Sequence, residues 1–345
     1  MTISELGERA LIARVRARTP SAPDWIRTGI GDDAAVLRPA RGMVDVVTTD
    51  AMVEDVHFRR AWSTPEEIGH RALAVNLSDL AAMGAAPRAL LLSLALPGQL
   101  PLDDFDGVID GFLALAARER ASLVGGNLTR SPGPLVIDVT AIGAARPRRI
   151  LHRSGARAGD RLFVTGRLGA AAAGLAIRTA GTDLSRCDED QRACVERYHR
   201  PDARLRTGVV VANNRAASAC MDVSDGLADA ARQIAEASGC GMELNADAIP
   251  IHRGTRAWAA AVGSDALSVA WSGGEDYELL FAVPKRRTRL FLAAVRQAGE
   301  TEVTEIGVCT KNREVCAVAS GIRSPVPVGF QHFNNQPPLR QQQMS

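Results

Sequence analysis

The sequence predicts a two-domain protein of mixed class, an α+β first half followed by an α/β second half. Three observations carry that prediction. Strand-like and helix-like runs succeed one another along 345 residues, a length that suits two domains, or one large one, with an ample core. From Ala144 to Gly159 the composition shifts to Ala, Arg, Gly and Pro, as it does where a chain connects two domains. The chain is 46% hydrophobic and 23% charged, ordinary for a globular protein. It also has no uninterrupted apolar run of about 18 residues, the length a membrane helix needs.

In order, Ser4 to Arg18 reads as a helix, with Leu6, Ala10, Ile12 (or Leu11) and Val15 as its apolar stripe. Gly29 to Ala35 follows as a Gly-bounded turn holding two adjacent carboxylates, Asp32 and Asp33. The β-branched run from Val44 to Thr49 then leads into a third, Asp50. Thr64-Pro65-Glu66-Glu67 is a helix start, with Thr64 as N-cap, Pro65 at the first turn and Glu67 closing a capping box. That helix is expected to reach about Met83 and to carry Asn76 and Asp79, three apart, on one face. An aspartate facing the interior of a helix is costly unless paired or metal-bound.

Ala89 to Leu96 is predicted as a strand, Leu102 to Ala121 as containing an amphipathic helix, and Leu135 to Gly143 as another strand. Val124-Gly125-Gly126-Asn127 reads as a glycine turn at a strand end. Beyond the connector, where Arg153 lies, Arg161 to Thr165 is a strand and an Ala-rich helix follows Gly169. Ala219 to Asp222 ends a strand, and Val223-Ser224-Asp225-Gly226 opens a helix that stops at Gly239. Helix N-termini present free backbone N–H groups to anions, so two aspartates there suit a metal–phosphate complex better than a bare phosphate. Ser272-Gly273-Gly274-Glu275-Asp276-Tyr277-Glu278 is one more acidic glycine turn, before the strand Leu279 to Val283. The last residues, 334–345, are polar and Gln-rich and are expected to be disordered.

Composition narrows the function. A net charge of +2 favours neither nucleic acid nor membrane as partner. The six cysteines have no CxxC spacing, which fits free thiols, a cytoplasmic location and no zinc site. Residues 1–20 alternate charge with Leu and Ile and do not read as a signal peptide. Lys285 and Lys311 are the only lysines, so a P-loop or protein-kinase lysine, which lies early in its fold, is excluded. Any nucleotide phosphates must be neutralised by metals and arginine. Acidic glycine turns and one acidic helix face, spread over both halves, point to Mg2+-dependent phosphoryl transfer or hydrolysis in an interdomain cleft.

The motifs GIGDDAA, TTDAMVEDVHF, NLSDLAAMGAAP, VGGN, RSGARAGD, MDVSDGL and SGGEDYELLF, in this order, resemble the thiamine-monophosphate kinases. Those enzymes belong to the aminoimidazole-ribonucleotide synthetase superfamily, and the resemblance spans residues 4–333. It implies two domains, here 1–145 and 146–333, with the N-terminal sheets of a homodimer closing a barrel. It also implies transfer of phosphate from ATP to thiamine monophosphate. Carried over residue by residue, Asp33, Thr48, Thr49, Asp50, Asp79, Asp222 and Asp225 match magnesium ligands, with Asp32 beside them. Gly126, Asn127, Arg153 and Ser224 match the ATP site, and His57, Glu275 and Phe330 the thiamine-phosphate pocket. The family's Gly-Gly-Asp turn ends here in Asn127, whose amide oxygen can still ligate a metal but brings no charge.

Overall fold

The computed structural model describes residues 1–327. Phe330 and the tail 334–345 lie outside the described residues.

The first half runs α1 (Ile3–Leu6), α2 (Glu8–Arg18), β1 (Ile26–Thr28), β2 (Val36–Leu37), β3 (Val44–Val53), α3 (Pro65–Ala82), β4 (Ala86–Pro97), α4 (Leu102–Arg118), β5 (Ser122–Ser131) and β6 (Val136–Ala145). The expected single N-terminal helix is two, because Gly7, at φ +84°, breaks the helical path. Of its apolar residues Leu11 is buried, whereas Ile12 stays exposed.

Four strands form one sheet in the order β3-β6-β4-β5, and β1 pairs with β2 in a separate small ribbon. The β4–β5 pair is parallel and the β3–β6 and β4–β6 pairs are antiparallel. The glycine pair that reads as a turn is instead inside β5, which continues through Gly125, Gly126 and Asn127 after a register shift against β4 at Val124. Glycine is needed there for closeness rather than for turning. A Cβ on Gly126 would come within 1.9 Å of the Leu92 carbonyl oxygen.

The predicted capping box holds α3 at its start: Thr64 Oγ1 accepts from the Glu67 amide, and Glu67 Oε2 from the Thr64 amide. The helix buries Ile68, Leu73, Leu77 and Leu80 completely. It lies against α4, against β3 and β6 of its own half, and against α7 and β8 of the other half. Gly69 permits the α4 contact, since a Cβ there would meet the Val108 carbonyl at 1.9 Å.

The second half comprises β7 (Arg161–Thr165), α5 (Ala170–Thr179), α6 (Glu189–His199), α7 (Leu205–Asn213), β8 (Ala219–Val223), α8 (Leu227–Ser238), β9 (Gly241–Asn245), α9 (Arg253–Val262), α10 (Ala266–Ser272), β10 (Glu278–Val283), α11 (Thr288–Ala298), β11 (Val303–Thr310), β12 (Val315–Ala319) and β13 (Ile322–Pro325). Its strands order as β13-β12-β9-β11-β7-β10-β8, and only the β12–β9 junction is parallel. One core continues across both halves, joining Leu77 and Leu90 to Phe163, Phe281 and Phe291. A second fills the space between α8 and the sheet, around Leu227, Ile234, Met242 and Leu280.

The connector is tied down on both sides. Leu151 donates its amide to the Met83 carbonyl at the end of α3, and the Cys220 amide of β8 donates to the His152 carbonyl. Arg153 therefore sits on a fixed segment, where the composition alone reads as a loose linker.

Candidate active site

Helix α3 delivers three side chains to the seam between the halves, and the sheet strands β3 and β8 meet it there. Asp79 accepts a hydrogen bond from the Thr48 hydroxyl of β3. Ser78, the residue before it on α3, donates to Asp222 Oδ2 of β8 at 2.7 Å. Asp222, next to last in β8, is 3% exposed, so its charge is almost wholly removed from water.

Further carboxylates, Asp50 of β3 and Asp225 just after β8, lie near enough to this seam for their charges to be felt there. Asp50 is exposed overall, yet partial desolvation of its carboxyl, then the charges of Asp79, Asp138 and Asp225, raise it to about 6. Burial and the neighbouring charges of Asp79 and Asp50 raise Asp222 to about 7, against the opposing pull of Ser78 and Arg153. Asp79 is raised by burial, with Thr48 and Arg153 pulling the other way. Arg153 is thus the cation at this acidic site, and its Nη1 donates to Gln233 of α8 at 2.6 Å. Ser224 Oγ donates to Asp225 Oδ2 at 3.1 Å, just before the start of α8.

Thr49 is turned to the other face of the sheet, where its hydroxyl lies 3.0 Å from Asp138 Oδ1 and 3.1 Å from the Val139 carbonyl. Asn127, also exposed, is two strands away from Asp138. Asp32 and Asp33 are exposed in their turn, where Asp32 Oδ1 accepts from the Asp33 amide at 2.9 Å. Among the described residues, no hydrogen bond or ion pair links either to Asp50, Asp79 or Asp222.

His57 lies four residues beyond β3, in a turn where its amide donates to the Val53 carbonyl. Its Nδ1 accepts from the Val53 amide at 3.0 Å, which fixes the neutral tautomer with the proton on Nε2. Glu275 follows the glycine pair at φ +70°, and Tyr277 has φ +50°, a conformation rarely adopted by residues with a Cβ. The surroundings hold this backbone in place. Glu275 and Tyr277 donate their amides to the carbonyls of Ser224 and Val223 at 2.6 and 3.0 Å. Between them, buried Asp276 accepts from the amides of Gly169 and Ala171 at 2.6 and 3.2 Å, capping α5. Glu278, which follows Tyr277, is buried against Arg197 and Arg204. Such outliers cost on the order of 1–3 kcal/mol each and persist where structure over-determines them, often at binding sites.

The sequence gives no notice of the partner of Glu275. Arg71 of α3 is 2% exposed, pairs with Glu275 across the seam, and stacks 4.3 Å above the Tyr198 ring. Its Nη1 is buried with no hydrogen-bond partner among the described residues. An arginine within the apolar stretch from Ile68 to Val75 is the one signal that could have exposed it. Ser78 and Asp138 were equally unmarked.

The donor set suits a hard divalent ion: carboxylates, hydroxyls and an amide oxygen, with no thiolate nearby. Among the described residues no three acidic, His or Cys side chains are gathered closely enough to enclose an ion unaided. Mg2+ takes one or two protein carboxylates and fills its remaining positions with water and substrate phosphates, so the oxygen donors present would suit it.

Comparison with known proteins agrees. Residues 31–145 match the family described as AIR synthase related protein, N-terminal domain, and residues 157–318 match its C-terminal domain. The chain is 36% identical over 311 residues to the thiamine-monophosphate kinase of Bacillus subtilis (strain 168), covering 89% of this chain and 94% of that one. Among solved structures it is similar to thiamine-monophosphate kinase from Stenotrophomonas maltophilia K279a, at 37% identity and a TM-score of 0.81, with 92% and 98% of the two chains covered. It is also similar to AaThiL complexed with AMPPCP and TMP, at 32% identity and a TM-score of 0.76, with 96% and 99% covered. With both of its halves matched in order, the chain belongs to the thiamine-monophosphate kinase family and has the two-domain fold of the AIR synthase related proteins.

Proposed function

We propose that this protein transfers the γ-phosphoryl group of ATP directly to the phosphate of thiamine monophosphate, giving thiamine diphosphate and ADP. The observation that carries the reading is the meeting of Asp50, Asp79, Asp222 and Asp225 from both halves, with Arg153 beside them. Carboxylates that disfavour one another's ionisation are unfavourable alone and become favourable around cations that also hold phosphates.

Bound Mg2+ would supply charge neutralisation for the donor and acceptor phosphates. Asp50, Asp79, Asp222 and Asp225, with Thr48 and Thr49, would hold those ions, and Asp33 would reach the group only by a shift of its turn. Arg153 and Ser224 would hold the ATP phosphates, the first as a point of positive charge and the second beside the free amides at the start of α8. Gly126 and Asn127 of β5 would border the nucleotide. His57 and Glu275 would face the acceptor's rings, as would Phe330. The acceptor's phosphate is already ionised near neutral pH, so the protein's task is alignment, and no side chain need form a covalent intermediate.

The same reading divides the chain at residues 145 and 146, works in the cytoplasm, and places a homodimer interface on the first sheet. Strand β3 is an edge of that sheet, and Val44 and Val47 are exposed on it at 38% and 62%. Sedimentation equilibrium that returned a monomer at micromolar concentration would remove the dimer. The activity itself is tested by incubating the pure protein with Mg2+, ATP and thiamine monophosphate and separating the products. Thiamine diphosphate and ADP should appear in equal amounts. ADP and free phosphate without thiamine diphosphate would replace the kinase by a hydrolase.

A further inference from the structure

The ion pair between Arg71 and Glu275 has one partner sealed inside the protein and one partly open to solvent. The Arg71 side chain, in the interior of α3, is 3% exposed, and that of Glu275 is 29% exposed. The guanidinium stacks on the ring of buried Tyr198 and donates through Nη2 to Glu275 Oε1. Its Nη1 has no hydrogen-bond partner, and Glu275 is its one ion-pair partner among the described residues. A buried cation stripped of its counter-charge is strongly unfavourable, so the carboxylate is held where it is. The backbone of Glu275 is pinned from a different segment, its amide donating to the Ser224 carbonyl at 2.6 Å. Residues 273–277 belong to no helix or strand, yet Glu275 is fixed at both its backbone and its side chain.

We propose that Arg71 is a positioning residue for the phosphate acceptor: by engaging Glu275 Oε1, it presents the other oxygen, Oε2, to the aminopyrimidine of thiamine monophosphate. The proposal rests on the reading of Glu275 as part of the acceptor pocket. A glutamate free to turn on a loop loses its rotamer freedom when a ligand binds. One already held by an arginine has lost it beforehand, and affinity gains by the difference. Arginine suits this task better than lysine, because its flat head stacks on Tyr198 while its edge donates. The same helix reaches the phosphate side of the site. Roughly two turns, or about 10 Å, further along α3, Ser78 donates to Asp222 Oδ2 at 2.7 Å. One rigid element thus sets a fixed point for the acceptor's rings and another for its phosphate. Charge alone argues for the opposite effect. A cation beside Glu275 repels the cationic thiazolium, so an Arg71 that acted only through its charge would weaken binding.

The test is a pair of isothermal titrations on the full chain, one with thiamine monophosphate and one with AMPPCP and Mg2+. Arg71→Met should weaken thiamine monophosphate about tenfold or more, the scale of a lost hydrogen bond to a charged group, and leave AMPPCP nearly unchanged. Arg71→Lys, which keeps the charge without the stack and the fork, should show a smaller loss of the same ligand and carries the comparison if Arg71→Met does not fold. In a Glu275→Gln background Arg71→Met should cost little further, because the carboxylate it positioned is gone. That double variant removes both charges of the pair at once, a change that folded proteins tolerate. Equal losses of both ligands would overturn the proposal and leave Arg71 a structural tie. Unchanged or tighter thiamine monophosphate binding would overturn it as well, as would a loss just as large with Glu275→Gln in place. A wild-type chain that takes up AMPPCP but no thiamine monophosphate would refute the acceptor reading, and this proposal with it. A wild-type chain that binds both, alongside an Arg71→Met variant that binds both equally well, would refute the proposal alone.

Discussion

Asp222→Asn is expected to lower turnover on the order of 10²- to 10³-fold, the loss found when one electrostatic contact is removed from a reaction centre. Asp79→Asn should do the same. Both residues keep an acceptor oxygen after the change, so Ser78 can still donate to position 222 and Thr48 to position 79, and the fold survives. What disappears is charge at the seam where the two halves meet. The metal-free variants should be no less stable than wild type. Asp222 is buried beside Asp79 and Asp50, and neutralising it relieves a repulsion that the folded chain otherwise carries. The combination separates a ligand from a structural residue: activity falls steeply while the melting temperature holds or rises. Steady-state kinetics with varied Mg2+, alongside thermal unfolding in a chelator, make the measurement. Near-normal rates in both variants would sink the multi-metal reading.

Glu275→Gln should weaken thiamine monophosphate binding by about 1–3 kcal/mol, the range for a hydrogen bond to a charged group, and leave ATP nearly untouched. As an affinity this is roughly a 5- to 150-fold loss. The carboxylate is 29% exposed and can accept from an aminopyrimidine while lying near a cationic thiazolium. The structure adds a second consequence. Glu275 is the ion-pair partner of Arg71, which is buried, and a guanidinium left without its counter-charge in such a place costs several kcal/mol. Glutamine still offers an oxygen to Arg71, so the variant should fold but melt at a lower temperature. Two isothermal titrations, one per substrate, tell these effects apart. A general loosening weakens both ligands alike. A selective loss of the thiamine phosphate keeps Glu275 in the acceptor pocket, and equal losses would make it a structural strap between α3 and the strained turn before β10.

Much of this was legible in the chain itself. The capping box at Thr64, the strand that delivers Asp50, the aspartates around the start of α8 and the glycine turn before β10 are local matters. Each is fixed by capping chemistry, β-branched runs or the freedom of glycine within a few residues. The same local reasoning erred at Gly125 and Gly126. Glycine permits a turn but equally permits a neighbour's backbone to come close, and only the position of Leu92 selects the second.

The convergence of the site was decided by tertiary structure. Ser78 reaches Asp222 over a separation of 144 residues, and Arg71 reaches Glu275 over 204. No periodicity links such pairs. Nor does the sequence state that the first sheet is ordered β3-β6-β4-β5, with the register that sets Asp138 beside Thr49. Residue types dictate which segments become strands and which face each side chain takes. Which strands then lie side by side, and in what register, depends on how all of them bury their apolar faces together against α3 and α4, a property of the whole core rather than of any stretch within it.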